Sequence, residues 1–436
     1  MARAKKEAAL TPEERLQAAL VPDWEWPYKL PENWCWLKLV ESFDNHTDSK
    51  KKIKQKEYLV KGKLAVVDQG QELIGGYTND VEKSYSGALP IVIFGDHTRC
   101  IKFVDFPFAQ GADGVKVLRP KPFYLPKAFY YALQSVNIPN LGYRRHFPLF
   151  NKFSIPLPPF DEQQRIVDRI ESLFAKLDEA KEKAQAVVDS FETRKAAILH
   201  KAFTGELTAK WREEHGVRME SWEVRTLDSV CSSIFDGDHM PPPKAESGIP
   251  FLVISNVNTG HLTFENTRFV PQEYYDTLSD TRKPQLGDVL YTLVGSFGIP
   301  VVVNSKRPFC FQRHMALLRP IDVSPQFLWY ILQTPEMYDK ASSIATGTAQ
   351  LTVPIKGLRA MTIPRPNIAE QVEIVRILDG FFAREQSAKE VAEAVLAQID
   401  LMKKSILARA FRGELGTNDP NEESAVELLK KVFQKE

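Results

Sequence analysis

The chain carries an internal repeat, and this feature limits its possible folds more than any other. The segment from Ile155 to Leu207 aligns with the segment from Ile363 to Leu415 at a constant offset of 208 residues, without a gap. Roughly two positions in five are identical, which is far above chance for an ungapped match of this length. A fold for this chain therefore has to place two copies of one element, each preceded by a segment of different sequence.

Each copy opens with a proline-rich stretch and continues as a predicted long helix. The prolines of residues 155–159 exclude a helix there and predict an extended lead-in. From Glu162 onward neither glycine nor proline occurs until Gly205. Apolar residues recur at alternating steps of four and three, the heptad spacing of a coiled coil, with a break near Arg194 and one polar intrusion, Glu385, in the second copy. Each copy is predicted to be a helix of about 40 residues, about 60 Å long.

A helix of this length has to bury its apolar stripe, and the other copy is its simplest partner. Because the two copies flank a globular segment, we expect them to pack antiparallel. The alternative is that each helix packs on its neighbouring domain as an ordinary core helix. The fold class is therefore predicted to be α+β: two globular α/β domains separated by a pair of long antiparallel coiled-coil helices, with a pseudo-two-fold internal repeat.

The segments that precede the two helices differ in most of their sequence but begin and end alike. They begin near a tryptophan, Trp34 in the first and Trp222 in the second, and end with Val117–Pro120 and Leu317–Pro320. Short runs typical of β-strands, such as residues 90–94, fill the middle, with glycine and aspartate turns between them. This pattern indicates one scaffold that carries two different surfaces.

Composition excludes several classes of protein. With 43% hydrophobic and 26% charged residues the chain is typical of a soluble globular protein. No apolar run approaches the ~20 residues needed to cross a bilayer, and the basic start, residues 1–6, lacks the apolar stretch of a signal peptide. The four cysteines lie far apart, which argues against a disulfide framework or a zinc site. We expect a cytoplasmic protein without a membrane partner.

The formal net charge of +1 does not by itself indicate a nucleic-acid partner, because phosphate contacts usually require an electropositive surface. One local cluster does stand out: five lysines lie within residues 50–56, and Lys61 and Lys63 follow. It is either a solvated loop or a strip that faces phosphates.

The arrangement resembles a known family. Two divergent domains, each followed by a near-repeated helix that begins Pro-Leu-Pro-Pro-x-x-Glu-Gln-x-x-Ile-Val at residues 156–167, resemble the specificity subunit of a type I restriction-modification system. The tail, Gly413–Leu415 followed by residues 418–423, is also similar to that of the family. The resemblance covers essentially the whole chain.

This resemblance implies a DNA-binding specificity subunit without catalysis of its own, active in DNA methylation and phage defence. Two target-recognition domains would bind double-stranded DNA at an asymmetric bipartite target. The expected partners are two modification (methyltransferase) subunits and restriction (motor/nuclease) subunits. S-adenosylmethionine, ATP and Mg would belong to these partners, and no cofactor to this chain. The predicted divisions are an N-terminal segment (1–34), the first target-recognition domain (35–155), the first spacer helix (156–215), the second target-recognition domain (216–363), the second spacer helix (364–415) and a tail helix (416–436).

The sequence also lacks the motifs that would indicate catalysis. It contains no Asn/Asp-Pro-Pro-Tyr/Phe motif of adenine methyltransferases and no Gly-x-x-x-x-Gly-Lys-Ser/Thr phosphate loop. We therefore predict no catalytic and no metal-binding residues. Two other interpretations stay open: a structural adaptor that joins proteins through its paired helices, and an enzyme whose motifs are not recognised.

Candidate DNA contacts follow from the chemistry of base reading, in which Asn or Gln suits adenine and Arg or Lys suits guanine. Each has a plainer alternative, since Asp96 and His97 can bond within a turn and glycines are more often turns than phosphate clamps. A metal half-site at Asp238 and His239 finds no further Cys or His at ligand spacing. In the first domain the candidates are Lys50, Lys51, Lys52, Lys54, Gln69, Gln71, Tyr77, His97, Arg99, Arg144, Arg145 and His146. In the second domain they are Asp238, His239, Lys244, Asn256, Ser296, Arg313, His314 and Gln350.

Overall fold

The computed structural model of the protein describes residues 11–237 and 242–435. The chain divides into two compact units. The first unit comprises residues 1–184 and 394–436, and the second comprises residues 185–393. Both divisions fall inside long helices, so each unit contains part of each copy of the repeated helix.

Helices and β-rich segments alternate along the described residues. The α-helices are α1 (Pro12–Ala19), α2 (Pro126–Ser135), α3 (Phe160–Asp189), α4 (Phe191–Phe203), α5 (Ala209–His215), α6 (Leu227–Val230), α7 (Gln272–Thr277), α8 (Pro325–Ile331), α9 (Pro335–Ile344), α10 (Ile355–Ala360), α11 (Ile368–Ala410) and α12 (Ala425–Lys435). The strands are β1 (Cys35–Lys38), β2 (Phe43–Asn45), β3 (Leu64–Val67), β4 (Gly76–Thr78), β5 (Ile91–Gly95), β6 (Ile101–Val104), β7 (Phe108–Gln110), β8 (Val115–Pro120), β9 (Ser154–Leu157), β10 (Glu223–Thr226), β11 (Cys231–Asp236), β12 (Ile249–Leu252), β13 (Arg268–Val270), β14 (Val289–Thr292), β15 (Pro300–Val302), β16 (Cys310–Phe311), β17 (Met315–Pro320) and β18 (Thr362–Arg365). The fold is α+β, as predicted. Among the described residues, none of these helices is both long enough and apolar enough to span a bilayer.

The two units have the same strand topology. Within the described part of the first unit the sheet orders are β2-β8-β5-β6, β4-β3-β7 and β1-β9. In the second unit they are β11-β17-β14-β15, β13-β12-β16 and β10-β18, so each strand has a counterpart nine strands later. Even the parallel pair recurs, as β3 with β7 and as β12 with β16. The internal repeat therefore extends over the two segments whose sequences differ.

The central strands are buried along their whole length because both of their faces are covered. Strand β5 reads Ile-Val-Ile-Phe-Gly and is buried at every position, and β14, Val-Leu-Tyr-Thr, is buried likewise. A continuous short apolar run of this kind is typical of a strand inside a core. Phe94 and Tyr291 are among the largest fully buried side chains of the described residues. The loops at the ends of these strands are consequently held by a packed sheet.

The repeated helices pack antiparallel within each unit. In the first unit Lys403 Nζ of α11 lies 2.5 Å from Asp178 Oδ1 of α3. In the second unit Arg194 Nη2 of α4 lies 2.7 Å from Glu385 Oε2 of α11. A residue late in one helix thus contacts a residue early in the other, which confirms the predicted direction.

The first copy is interrupted and the second is continuous. Helix α3 ends at Asp189 and α4 begins at Phe191, whereas α11 runs for 43 residues. Arg194 donates to the Val187 carbonyl (3.2 Å) and to Ser190 Oγ at the interruption, and its Nε donates to Glu385 (2.8 Å). The break predicted near Arg194 and the polar intrusion predicted at Glu385 are therefore the two sides of one contact.

The helix surface is less uniformly buried than the heptad pattern predicts. In the first turns Ile166 and Ile170 are fully buried in the core of the first unit, and Ile374 and Leu378 in that of the second. Farther along α11, the predicted seam residue Met402 is 47% exposed. Each repeated helix accordingly begins as a core helix of one domain and continues as an antiparallel partner of the other copy.

Candidate nucleic-acid interface

The repeated Glu-Gln motif is buried and has a structural role. In the first unit Glu162 is fully buried and accepts three hydrogen bonds. Its donors are Trp34 Nε1 (2.7 Å), Thr417 Oγ1 (3.0 Å) and Asn418 Nδ2 (2.9 Å). The motif thus joins the tryptophan at the start of the domain to the segment that follows α11.

The second copy repeats this arrangement with one added charge. Glu370 is also fully buried, and it accepts from Trp222 Nε1 (2.9 Å), Thr208 Oγ1 (2.7 Å) and Arg212 Nη1 (2.6 Å). The donor Thr208 belongs to the segment that follows α4. The repetition of this motif therefore reflects how the units are built.

Four connections converge at one edge of the first unit. The backbone N–H of Asp96 donates to the Gly114 carbonyl (2.7 Å), and that of His146 donates to the Asp96 carbonyl (2.8 Å). Gln69 Oε1 accepts from the His97 N–H (3.1 Å). The β3–β4, β5–β6 and β7–β8 loops and the segment after α2, residues 139–146, consequently meet; we call them the first reading loops.

Aromatic and cationic side chains extend from the first reading loops. The His97 ring stacks on Tyr143, with 5.1 Å between ring centroids and 19° between planes. Tyr143 is 86% exposed, and the next two residues, Arg144 and Arg145, are exposed as well. This group offers stacking surface and guanidinium donors side by side, the chemistry that phosphate and base edges require. Tyr143 was not a predicted site residue, although its place before two arginines could have indicated it.

A partly buried ion pair holds the loop that carries Gln69 and Gln71. Lys102, only 5% exposed, lies with its Nζ 3.5 Å from Asp68 Oδ1 and also donates to the Glu72 carbonyl. Asp68 Oδ1 accepts from the Gly70 N–H (2.8 Å). The β3–β4 loop is thus fixed from a neighbouring strand, while Gln71 stays exposed.

The lysine cluster of the sequence lies on the first unit. We define the lysine strip as Lys50, Lys51, Lys52, Lys54, Lys56, Lys61 and Lys63. Lys51 Nζ donates to the Ser84 carbonyl (3.1 Å), and Lys83 Nζ donates to the Lys50 carbonyl (2.8 Å). Within residues 11–237 and 242–435 the strip makes no salt bridge. Its charge is therefore available to an anionic partner, and Lys83, which sequence reasoning missed, adds to it.

Two further predicted residues of the first unit, Tyr77 and Arg99, have different surroundings. Tyr77 is half-buried in β4, where its backbone exchanges hydrogen bonds with Leu59. Arg99 lies in the β5–β6 loop with a positive φ of 61°, and its Nη1 donates to the Ile138 carbonyl (3.0 Å). Arg99 and Gln71 line one cleft, whereas Tyr77 belongs to the sheet that supports the loops.

In the second unit the structure brings three predicted residues together. Arg313, His314 and Gln350 line a groove of about 380 Å³ beside Asp236. The Leu293 N–H donates to the His314 carbonyl (2.8 Å), which joins the β14–β15 and β16–β17 loops. Residues 345–354, which include Gln350, close the groove; we call these three segments the second reading loops. The sequence did not predict this cluster, because its members lie in separate loops that are far apart along the chain.

The surroundings of His314 favour its neutral form. Burial, and secondly the nearby charge of Arg313, lower its pKa from the ordinary value of 6.5. A neutral imidazole donates at one nitrogen and accepts at the other. Together with the exposed guanidinium of Arg313 and the exposed amide of Gln350, the groove presents both donors and acceptors.

Two of the predicted contact residues, His146 and Asn256, are buried. His146 is fully buried, and both of its ring nitrogens contact backbone atoms. Asn256 is 2% exposed, and its amide accepts from the Val253 N–H and donates to the Glu265 carbonyl, each at 3.0 Å. These two side chains shape turns and have no free edge for a base.

Lys244 and Ser296 are exposed. Ser296 lies in the β14–β15 loop and follows Gly295, which lies beside the Gln350 side chain. Asp238 and His239 lie outside the described residues. Among the residues that are described, no group of three His, Cys, Asp or Glu side chains is placed to hold a metal ion.

The reading loops of the two units are topological counterparts. The β5–β6 loop corresponds to β14–β15, and β7–β8 corresponds to β16–β17. Where the first unit has Gly114 directly before β8, the second has His314 directly before β17. One scaffold thus presents two different sets of side chains at equivalent places.

Comparison with known proteins agrees with this architecture. The model of the type I restriction modification DNA specificity domain matches residues 31–188 and again residues 219–395. The chain is 28% identical over 305 residues to the type I restriction enzyme EcoKI specificity subunit of Escherichia coli K12, covering 65% of this chain and 64% of that one. The match thus spans just under two thirds of that relative.

Two solved structures share the fold. The HsdS subunit from Thermoanaerobacter tengcongensis aligns with a TM-score of 0.59 and 21% identity, over 89% of this chain and 99% of that one. A chain from a structure on the assembly and conformational transition of the type I restriction-modification system aligns with a TM-score of 0.62 and 21% identity, over 89% and 100%.

The chain belongs to the family of type I restriction-modification DNA specificity subunits. The family is non-catalytic: it supplies the specificity part of a restriction-modification complex. The family model matches twice, once over most of each β-rich segment and the helix that follows it.

Proposed function

We propose that this chain selects the DNA target of a type I restriction-modification complex by binding an asymmetric bipartite duplex site. The proposal rests on one observation: the two units share a strand topology, but their equivalent loops bear different polar side chains. A reader of two unlike half-sites needs this combination, because base edges are distinguished by the donors and acceptors set against them. Phosphate contacts from the lysine strip would supply affinity that does not depend on sequence.

The division of labour follows the repeat. Residues 35–155 and 216–363 would each read one half-site, and residues 156–215 and 364–415 would space them. Residues 1–34 and 416–436 would complete the first unit, where the Ala425 N–H donates to the Asn33 carbonyl (2.9 Å). The gap between the half-sites would then depend on the paired helices.

The proposed partners are two modification (methyltransferase) subunits together with restriction (motor/nuclease) subunits, in the cytoplasm. A repeated surface suits two copies of one partner, and one of the two similar solved chains belongs to a structure of type I system assembly. S-adenosylmethionine, ATP and Mg would be bound by those partners. The buried Glu-Gln motifs hold each domain to the helices on which these partner subunits would dock.

The test is to co-express the chain with the modification subunit of its own system in a host that lacks adenine methylation. Methylated adenines are then mapped over the genome. One asymmetric split motif with a constant gap, found only when this chain is present, is the expected result. A soluble complex without new methylation would contradict the proposal and favour an adaptor that joins proteins.

Replacing Arg313 with alanine is expected to relax one half-site and leave the other unchanged. A good bidentate contact to a base is worth about 1–3 kcal/mol of discrimination, or roughly 5- to 150-fold. The measurement is the methylation rate on duplexes in which each target base pair is changed in turn. Arg376→Ala is the control, because Arg376 pairs with Glu373 (2.7 Å) on the surface of α11. Equal relaxation of both halves would show that Arg313 acts on overall stability.

A further inference from the structure

A cleft on the first unit lies next to the reading loops but outside the lysine strip. Its volume is about 640 Å³. The lining comes from residues 98–101 in the β5–β6 loop and at the start of β6, from residues 134–138 at and after the end of α2, from Gln71, and from Lys404 and Leu407 of α11. Arg99 and Lys404 give it two cationic groups, and none of its lining residues is acidic. The cleft therefore suits an anion.

Arg99 is held in place within this cleft. Its N–H donates to the Gly95 carbonyl (2.8 Å) and its Nη1 to the Ile138 carbonyl (3.0 Å). Its positive φ of 61° is uncommon for a residue with a side chain. A guanidinium has five N–H donors, so most of its hydrogen-bonding capacity is left for a ligand.

Lys404 differs from its neighbour on the same helix. Lys403 pairs with Asp178 (2.5 Å) and lies over the Phe174 ring, with 5.1 Å to its centroid. Lys404 is exposed, and no salt bridge to it is found within residues 11–237 and 242–435. Lys404 thus lacks, among the described residues, the ion pair that Lys403 makes.

Lys404 also breaks the internal repeat. At the offset of 208 residues, Lys403 corresponds to Lys195, but Lys404 corresponds to Ala196. A contact to two copies of one partner subunit would be expected at both positions. A cation in only one copy suits an asymmetric ligand, and the neighbouring Gln71 and Arg99 belong to the loops proposed to read DNA.

We propose that the Arg99–Lys404 cleft binds a backbone phosphate of the target duplex, and that α11 therefore contributes directly to DNA binding. The inference rests on the proposed function and assigns a DNA contact to the spacer helix. Thr98 and Gln71 would add polar contacts around the phosphate. Because phosphate contacts carry no base information, the cleft would fix the register of the duplex on the first unit.

The Cys100 thiol can be used to probe occupancy of the cleft. Cys35, Cys231 and Cys310 are buried, whereas Cys100 is half-exposed and lines the cleft. We would alkylate the full chain, in complex with its modification subunits, with a small maleimide and follow the Cys100 peptide by mass spectrometry. Labelling is compared without ligand, with saturating target duplex, and with inorganic pyrophosphate at equal phosphate concentration. A severalfold slowing by the duplex alone is expected.

The second arm is the salt dependence of duplex affinity for Lys404→Gln and the matched control Lys403→Gln. Loss of one phosphate contact lowers the slope of log affinity against log salt by about 0.9. This corresponds to a roughly 8-fold loss of duplex affinity at 0.1 M relative to 1 M salt. We expect this change for Lys404→Gln only.

The outcomes separate the two proposals. If the duplex binds but Cys100 labelling and both slopes stay unchanged, the cleft does not contact DNA, although the proposed function stands. Protection by pyrophosphate but not by the duplex would make the cleft a site for a free phosphoanion and overturn the proposal. If the complex binds no duplex at all, the proposed function itself fails.

Discussion

Replacing Glu370 with alanine is expected to destabilise the second unit by about 3–5 kcal/mol, the usual cost of removing one partner from a buried ion pair. Glu370 is fully buried and Arg212 is 8% exposed, so the guanidinium would be left without its counter-ion in a dry environment. Trp222 and Thr208 would also lose their acceptor. Water cannot readily replace the carboxylate, because Glu370 is fully buried.

The measurement is urea unfolding combined with hydrogen exchange, which assigns the loss of stability to a unit. Glu162→Ala is the matched comparison, since Glu162 has the same place in the first unit but accepts from three neutral donors. Its cost is expected to be about 1–3 kcal/mol. Glu373→Gln, which removes only a surface pair with Arg376, should change stability by less than about 1 kcal/mol. Equal losses for Glu370→Ala and Glu162→Ala would show that the charge of Arg212 is not what matters.

The helices were predictable because their signal is local. Heptad spacing within each copy indicated two long helices, and their mutual similarity indicated that they pair. Even the two irregularities, near Arg194 and at Glu385, were visible, although only the structure shows that they contact each other. The exposure of Met402 was not predictable, because a heptad position shows which face is apolar but not how far the partner covers it.

The shared strand topology was hidden because strands depend on distant pairing. Sequence similarity between the β-rich segments is confined to their ends, yet β2-β8-β5-β6 and β11-β17-β14-β15 have one order. A short buried strand accepts many apolar sequences, so Ile-Val-Ile-Phe-Gly and Val-Leu-Tyr-Thr fulfil the same role without resembling each other. Divergence of these segments therefore removed the sequence similarity between them but did not change their shared fold.

The candidate site was predictable as regions but not as side chains. Residue type suggested His146 and Asn256, and both proved to be buried in turns. The same reasoning named Arg313, His314 and Gln350, which line one groove. Residue type reports which bonds a side chain can make, whereas burial decides whether those bonds are already made within the protein.

Replacing Lys50, Lys52, Lys54 and Lys56 with glutamine is expected to weaken duplex binding about 4,000-fold at 0.1 M relative to 1 M salt. If each lysine contacts one phosphate, four fewer counterions are released, and the slope of log affinity against log salt falls by about 3.6. Lys51 is left unchanged because its Nζ holds the Ser84 carbonyl. The measurement is duplex affinity over a salt series, with target and unrelated duplexes side by side.

The weakening should be nearly equal for target and unrelated duplexes, because phosphate contacts carry no sequence information. This separates the lysine strip from Arg313, whose loss should affect one base pair of one half-site. The matched control replaces Lys183, Lys403, Lys430 and Lys431 with glutamine, which changes the net charge equally but removes lysines that already pair with carboxylates. An equal loss in both quadruple variants would mean that net charge alone governs binding. A loss confined to the lysine strip would mean that the DNA backbone follows this face of the first unit.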